Sequence, residues 1–165
     1  MNWEEKTQVK KGDVGERIVQ HHLEKRGYIV YRTRTNKPHM FDMLITKDNQ
    51  RLILCEVKTK PRRNFYPDTG IDYKDYLGYC NISNIYKLPF WLFFVDEMLG
   101  EIYGGLLSKL EKPTTFLVDG KKLTYPSYQK NIIYFHQPSM RVVGSLNSEE
   151  IQEIKRNNTR NYNYQ

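Results

Sequence analysis

Cysteine is nearly absent from this chain, and so are long apolar runs, internal repeats and any surplus of acid. The two cysteines, Cys55 and Cys80, stand in no metal-binding spacing and build no disulfide framework. A reducing, cytoplasmic setting is therefore expected, with Cys55, inside an apolar run, reading as a small buried hydrophobe. The longest apolar run, Leu88–Val95, falls far short of the about 20 residues that cross a bilayer. The N-terminal MNWEEKTQVKKGD has no signal-peptide apolar stretch, so neither a membrane span nor a secretory leader is expected. Acidic residues are outnumbered, 19 Asp and Glu against 26 Lys and Arg, for a net charge of +7 and a pI near 9.3. That balance suits a polyanionic partner, DNA or RNA first and an anionic membrane surface second, and nothing else in the chain favours the membrane. What is present is 165 residues, 39% hydrophobic and 13% aromatic with Tyr supplying most of the aromatics. By size this is one domain, long enough to bury a core.

The most informative stretch is FDMLITKDNQRLILCEVKTK, Phe41–Lys60. Met40–Thr46 and Leu52–Thr59 read as strands, and the polar Lys47-Asp48-Asn49-Gln50 between them has hairpin-turn composition. Side chains alternate along a strand, so Glu56 and Lys58 leave one face while Cys55 and Val57 leave the other. In a simple hairpin register Asp42 joins Glu56 on the ionic face. Two carboxylates so close repel in a poorly solvated site, and a divalent cation with oxygen ligands, Mg²⁺ or Mn²⁺, relieves them. Lys58 then lies beside that ion, able to orient a water or neutralise a phosphate oxygen. The competing reading is a half-buried salt bridge between Lys58 and Glu56 or Asp42.

Around this stretch the elements read in order. After a polar arm, 1–10, Asp13 is the expected N-cap of a helix, Glu16 completes a capping box and Gly27 ends it. Val14, Gly15, Ile18, Val19, His22 and Leu23 cover one side of that helix, with Glu16 at the border, and Gly15 allows close approach to a sheet. Tyr28–Thr33 is a strand, followed by Arg32, Arg34 and Lys37 as a basic approach to Asp42; each alone is a solvated loop cation, and as a set they suit phosphates. His39, His21, His22 and His136 read as ordinary histidines lacking a second ligand at metal spacing. Lys60 and the segment RRNFYPDTGIDYKDY, with Arg62, Arg63 and Tyr76, mix cations and aromatics as nucleic-acid contacts do; a Tyr-rich loop explains the segment equally well. Asp72 opens a helix over Tyr73–Tyr86, with Tyr76, Leu77, Cys80 and Ile85 as its apolar side; Tyr76 and Tyr79 read as packing residues, with contact to a phosphate backbone as the alternative. Phe90–Val95 is a strand buried on both faces, and Glu101–Leu107 follows beyond an Asp96–Gly100 turn. The order is α-β-β-β-α-β. Short strands at Thr114–Val118, Leu123–Tyr125, Ile132–Phe135 and Met140–Val143 come next, with an Asp119-Gly120 turn. A helix from Asn147 to Arg156 carries a capping box with Glu150, and a polar tail ends the chain. The expected organisation is one domain over 1–144, with a core at 11–107 and appended strands at 108–144, then a helix and flexible tail at 145–165.

Asp42, the spacer and Glu56-x-Lys58 resemble the motif of the PD-(D/E)XK nuclease superfamily. Gly12–Arg17 followed by Leu23–Val30 is similar to the first helix and strand of its archaeal-type Holliday junction resolvase branch. The likeness spans about Lys11 to Lys60, and Phe41 stands where the motif's name has proline. It implies an α/β, restriction-endonuclease-like mixed sheet flanked by helices, and metal-dependent hydrolysis of DNA phosphodiesters to 5′-phosphate and 3′-hydroxyl ends by a resolvase-like, phage or repair nuclease. It also implies that Asp42 and Glu56, with the Val57 carbonyl and Glu16, hold Mg²⁺ or Mn²⁺ while Lys58 positions the attacking water. Glu16 otherwise serves only to cap its helix. A resolvase acts as a homodimer, because two opposed strands are cut. The rival is a nucleic-acid-binding protein that retains the fold without the reaction.

Overall fold

The computed structural model describes residues 7–33, 39–48, 51–110, 112, 115–124 and 128–158. Helix α1 (Thr7–Glu24) leads into strands β1 (Ile29–Arg32), β2 (Met43–Thr46) and β3 (Ile53–Thr59); β4 (Asp68–Asp72) then precedes helix α2 (Tyr73–Tyr86), β5 (Phe90–Asp96) and β6 (Glu101–Leu106). The remaining elements are β7 (Thr115–Val118), β8 (Lys121–Thr124), β9 (Tyr128–Gln129), β10 (Ile132–His136), β11 (Arg141–Ser145) and α3 (Ser148–Arg156).

A six-stranded sheet in the order β1-β2-β3-β5-β6-β11 forms the centre. Only β3 and β5 run parallel, through the crossover that contains α2; every other neighbouring pair in that sheet is antiparallel. Strand β5 earns its central place by composition: Phe90, Leu92, Phe93, Phe94 and Val95 are all buried, as a strand covered on both faces requires. The period of two then sorts the core into layers. Cys55, Val57, Phe93 and Val95 face Val14, Ile18, Val19 and Leu23 of α1, with Ile154 of α3 beside them. Leu54, Leu92 and Phe94 face Tyr79 and Ile82 of α2 and Ile71, Ile133 and Phe135 of a second sheet, β4-β10-β9. Glu56 and Lys58 share the parity of Leu54, so they open toward α2, whereas Glu16 arrives from the α1 side.

Gly15 sets the distance between α1 and the sheet: a Cβ there would stand 1.8 Å from Oγ1 of Thr59. Gly27, at φ 83°, turns the chain out of the helix through Tyr28 N–H donating to Leu23 O at 3.1 Å, a left-handed C-terminal stop. Asp42 ends the β1–β2 pairing, its carbonyl accepting from Thr33 N–H at 2.9 Å.

Four expectations need correction. Asp13 does not cap α1, which already runs from Thr7; Lys11 is buried and paired to Glu97 at 2.8 Å, so that charge anchors the extra turn to the far end of β5. The segment after Lys60 is not all loop. Its polar DTGID forms β4 and pairs with β10 in the register Asp68↔His136 to Asp72↔Ile132, and Asp68 is buried because Arg63 meets it. Helix α2 keeps its expected bounds, and Tyr76, Tyr79 and Cys80 pack on the core as expected, but Ile82 is buried with them while Leu77 and Ile85 lie outside. Finally, β11 pairs with β6 and completes the main sheet, with a bulge between Val142 and Gly144.

Candidate metal centre

Three elements deliver carboxylates to one end of the sheet. Asp42 occupies a bend just ahead of β2, next to the Met43↔Cys55 pair that starts the β2–β3 ladder. Its own N–H donates to Cys55 O at 2.9 Å, and its Oδ2 accepts the Val57 N–H at 2.7 Å. The side chain thus takes the place of a ladder carbonyl, which fixes its rotamer and leaves Oδ1 facing His39, whose Nε2 lies 3.1 Å away. Glu16, one residue after the close-packed Gly15, accepts from Arg32 Nη2 at 2.7 Å through Oε2, and the same Arg32 nitrogen lies 3.3 Å from Asp13 Oδ1. One ligand atom from each of Glu16, His39 and Asp42 lies within 4.8 Å of the others.

Glu56 flanks this group from the α2 side. Its Oε1 accepts from Tyr79 O–H at 2.7 Å and from Lys58 Nζ at 2.8 Å. Lys58 also reaches Asp75 Oδ2 at 3.5 Å and lies 5.5 Å from the centre of the Tyr79 ring. Asp75 and Tyr79, four residues apart on α2, therefore both project over the Glu56-x-Lys58 pair.

The electrostatics follow from burial. Removal from water, then the charges of Glu56 and Glu16, push the Asp42 carboxyl up to about 7, against the Val57 and His39 hydrogen bonds that favour its ionised form. Burial raises Glu16 as well, with Arg32 opposing. Burial alone would pull the Lys58 ammonium down, but Glu56, Asp75 and Asp42 together outweigh it and hold it above its ordinary value. Burial and Glu56 likewise raise the Tyr79 phenol, so it stays a donor. Burial and the acids' mutual repulsion thus both oppose ionisation of Asp42, and a bound cation would relieve both. Oxygen donors of this number and hardness, with one imidazole, suit a divalent ion, so the residues fit the group that the sequence motif implies.

The structure brings Glu16, Asp42, Glu56 and Lys58 to this end of the sheet, and Val57 meets it through its N–H. The expected phosphate contacts fare differently. Arg32 is the partner of Glu16 and Asp13. Arg63 makes a two-point ion pair with buried Asp68 at 2.6 and 2.5 Å and sits on the Tyr134 ring, 3.8 Å from its centre. Both guanidinium groups thus serve acids within the fold, which leaves them fewer donors for a phosphate. Lys60 donates to Gly70 O at 2.6 Å, Arg62 donates its N–H to Asp96 Oδ2 at 2.8 Å, and Tyr76 accepts from Lys112 Nζ at 2.8 Å. Arg34 and Lys37 lie outside the described residues. Sequence reasoning set His39 aside and gave Tyr79 a packing role or a contact to the phosphate backbone, not a bond to Glu56. The i, i+3 step from His39 to Asp42 was the one signal for the first, and the four-residue step from Asp75 for the second.

No family model matches the chain, and no curated protein matches it in sequence. Among solved structures, that of Archaeoglobus fulgidus Hjc, a Holliday junction resolvase from an archaeal hyperthermophile, is similar with a TM-score of 0.55 at 10% identity, over 80% of this chain and 96% of that one. At such identity the likeness is one of fold. The chain has a restriction-endonuclease-like fold, a mixed and mostly antiparallel sheet flanked by helices, shared with that resolvase.

Proposed function

We propose that this protein is a divalent-metal-dependent DNA endonuclease, a phosphodiester hydrolase of resolvase-like or repair type. The observation that carries the reading is Asp42, held by the Val57 N–H between a helical glutamate and a strand Glu-x-Lys, with its carboxyl raised by burial and then by both acids. Asp42 and Glu56, with Glu16 and the Val57 carbonyl, are the residues that would hold Mg²⁺ or Mn²⁺. Such an ion, when bound, neutralises charge developing on a phosphate and makes a nearby water more acidic. The protein's own groups do the rest. Lys58, tethered to Glu56, orients the attacking water, and Tyr79 fixes Glu56 from the other side. The net charge of +7 draws the polyanion toward a pocket that is itself acidic, with Lys60, Arg62, Arg34, Lys37 and Tyr76 as the proposed contacts. Among the described residues no helix is long and apolar enough to cross a membrane.

The test is cleavage of single-stranded, duplex, flap and four-way DNA with Mg²⁺, Mn²⁺ or EDTA. Cleavage that needs the metal and disappears in Asp42→Ala supports the proposal. DNA binding without cleavage in any metal, unchanged by Asp42→Ala, identifies a binding protein that keeps only the fold. Resolvase-like action on paired strands further requires a symmetric dimer, and a monomer by light scattering at micromolar concentration refutes that part.

A further inference from the structure

We propose that His39 supplies a nitrogen ligand to the divalent ion of this site and that the site therefore prefers Mn²⁺ to Mg²⁺; the inference rests on the metal-site reading given above. Nε2 of His39 stands 3.1 Å from Oδ1 of Asp42. Two ligand atoms bound at right angles to one ion, each at about 2.1–2.2 Å, lie about 3 Å apart. The His39–Asp42 separation is therefore already the bite of a chelate, with a proton standing in for the cation. Asp42 cannot swing away from this arrangement, because its other oxygen holds the Val57 N–H at 2.7 Å.

Glu16 completes the set. Its carboxylate is steadied by Arg32 at 2.7 Å, and one atom each from Glu16, His39 and Asp42 falls within 4.8 Å of the others. Ligands on opposite sides of an ion are about 4.3 Å apart, so a contraction of a few tenths of an ångström seats all three. Glu56, with Oε1 accepting from both Lys58 and Tyr79, stands outside that group and meets the ion from its flank. The inner set thus comprises two carboxylates and an imidazole. Mg²⁺ takes oxygen ligands and gives up water reluctantly, whereas Mn²⁺ accepts oxygen and also tolerates a nitrogen donor.

The experiment uses the full chain without DNA. Mn²⁺ bound to the wild-type and His39→Gln proteins is examined by pulsed electron paramagnetic resonance for nitrogen hyperfine coupling, and Mn²⁺ and Mg²⁺ affinities are measured by titration calorimetry. The wild type is expected to show the coupling and to bind Mn²⁺ at least about tenfold more tightly than Mg²⁺. His39→Gln is expected to lose the coupling and to bring the two affinities within about threefold, with its thermal midpoint in the absence of metal unchanged. Mn²⁺ that binds the wild type without nitrogen coupling, or with a coupling that persists in His39→Gln, overturns the inference. If that Mn²⁺ is nevertheless lost in Asp42→Asn, the metal-site reading itself still stands. A wild type that binds no Mn²⁺ overturns both.

Discussion

Replacing the central acid is expected to stabilise the metal-free protein while removing the proposed cleavage. Asp42→Asn keeps an oxygen to accept the Val57 N–H and turns an N–H₂ toward His39 Nε2, so neither bond seen at 2.7 and 3.1 Å need be lost. What disappears is a charge held beside Glu56 and Glu16. A carboxyl that titrates near 3.8 in the unfolded chain and about 7 in the folded one binds its proton more tightly when folded. Its contribution to stability is therefore intact below about pH 4, falls as pH rises toward 7, and stays at its minimum above that. At about 1.36 kcal/mol per pH unit the full interval sets an upper limit near 4 kcal/mol. Relaxation and water penetration reduce such a limit, so about 2 kcal/mol is expected for Asp42→Asn, or roughly 4–8 °C in Tm for a chain of this size. The assay is thermal unfolding of both proteins in EDTA at pH 8 and pH 5. Asp42→Asn should melt higher at pH 8, with the advantage shrinking by at least half at pH 5. Saturating Mn²⁺ should raise the wild-type midpoint and leave the variant's in place. A variant that melts lower than wild type at pH 8, or an advantage that ignores pH, would refute the electrostatic argument.

Three further outcomes follow from the same geometry. Tyr79→Phe removes the O–H that donates to Glu56 at 2.7 Å, a charge-assisted bond of about 1.5–3 kcal/mol; steady-state kinetics should show kcat falling about tenfold with KM for DNA little changed. Gly15→Ala gains about 1 kcal/mol of helix propensity, yet its new methyl meets Thr59 Oγ1, so urea unfolding should report a net loss of about 1–3 kcal/mol. Adding Thr59→Ala should recover most of it, and equal stability of single and double variants would show that α1 is less tightly seated. Arg63→Ala leaves the fully buried Asp68 carboxylate without its two guanidinium bonds, at a cost of about 3 kcal/mol, measured as a lower urea midpoint with an unchanged slope.

Local chemistry was readable from the sequence wherever the governing partner lies close in the chain. Asp72 and Pro89 bracket α2, whose bounds are those expected, and Asn147 with Glu150 forms the capping box that opens α3. The apolar FWLFFV could only be an inner strand. The nearness of Asp42 to Glu56 was legible for the same reason, since a hairpin and a period of two place them together. What could not be read depends on distant partners. Lys11 gives no hint of Glu97, 86 residues away, so the first turns of α1 looked like an arm. Asp68–Asp72 looks like loop sequence because β10, its partner, is encoded far downstream. Helix α2 has apolar residues on several sides, and only the sheet decides that Ile82 turns inward rather than Leu77. Arg32 and Arg63 illustrate a different limit: a cation's partner is not written in its neighbours, and both proved to serve acids within the protein.

The order of synthesis meets a topological constraint here. Glu16, Asp42 and Glu56 precede in the chain the strands that complete their support: β4 pairs with β10, and the outer flank of β6 with β11. Val143, Leu146 and Ile154 then seal the layer beneath α1. A nascent chain that has not yet reached β11 and α3 thus carries these carboxylates without the scaffold that holds them in register.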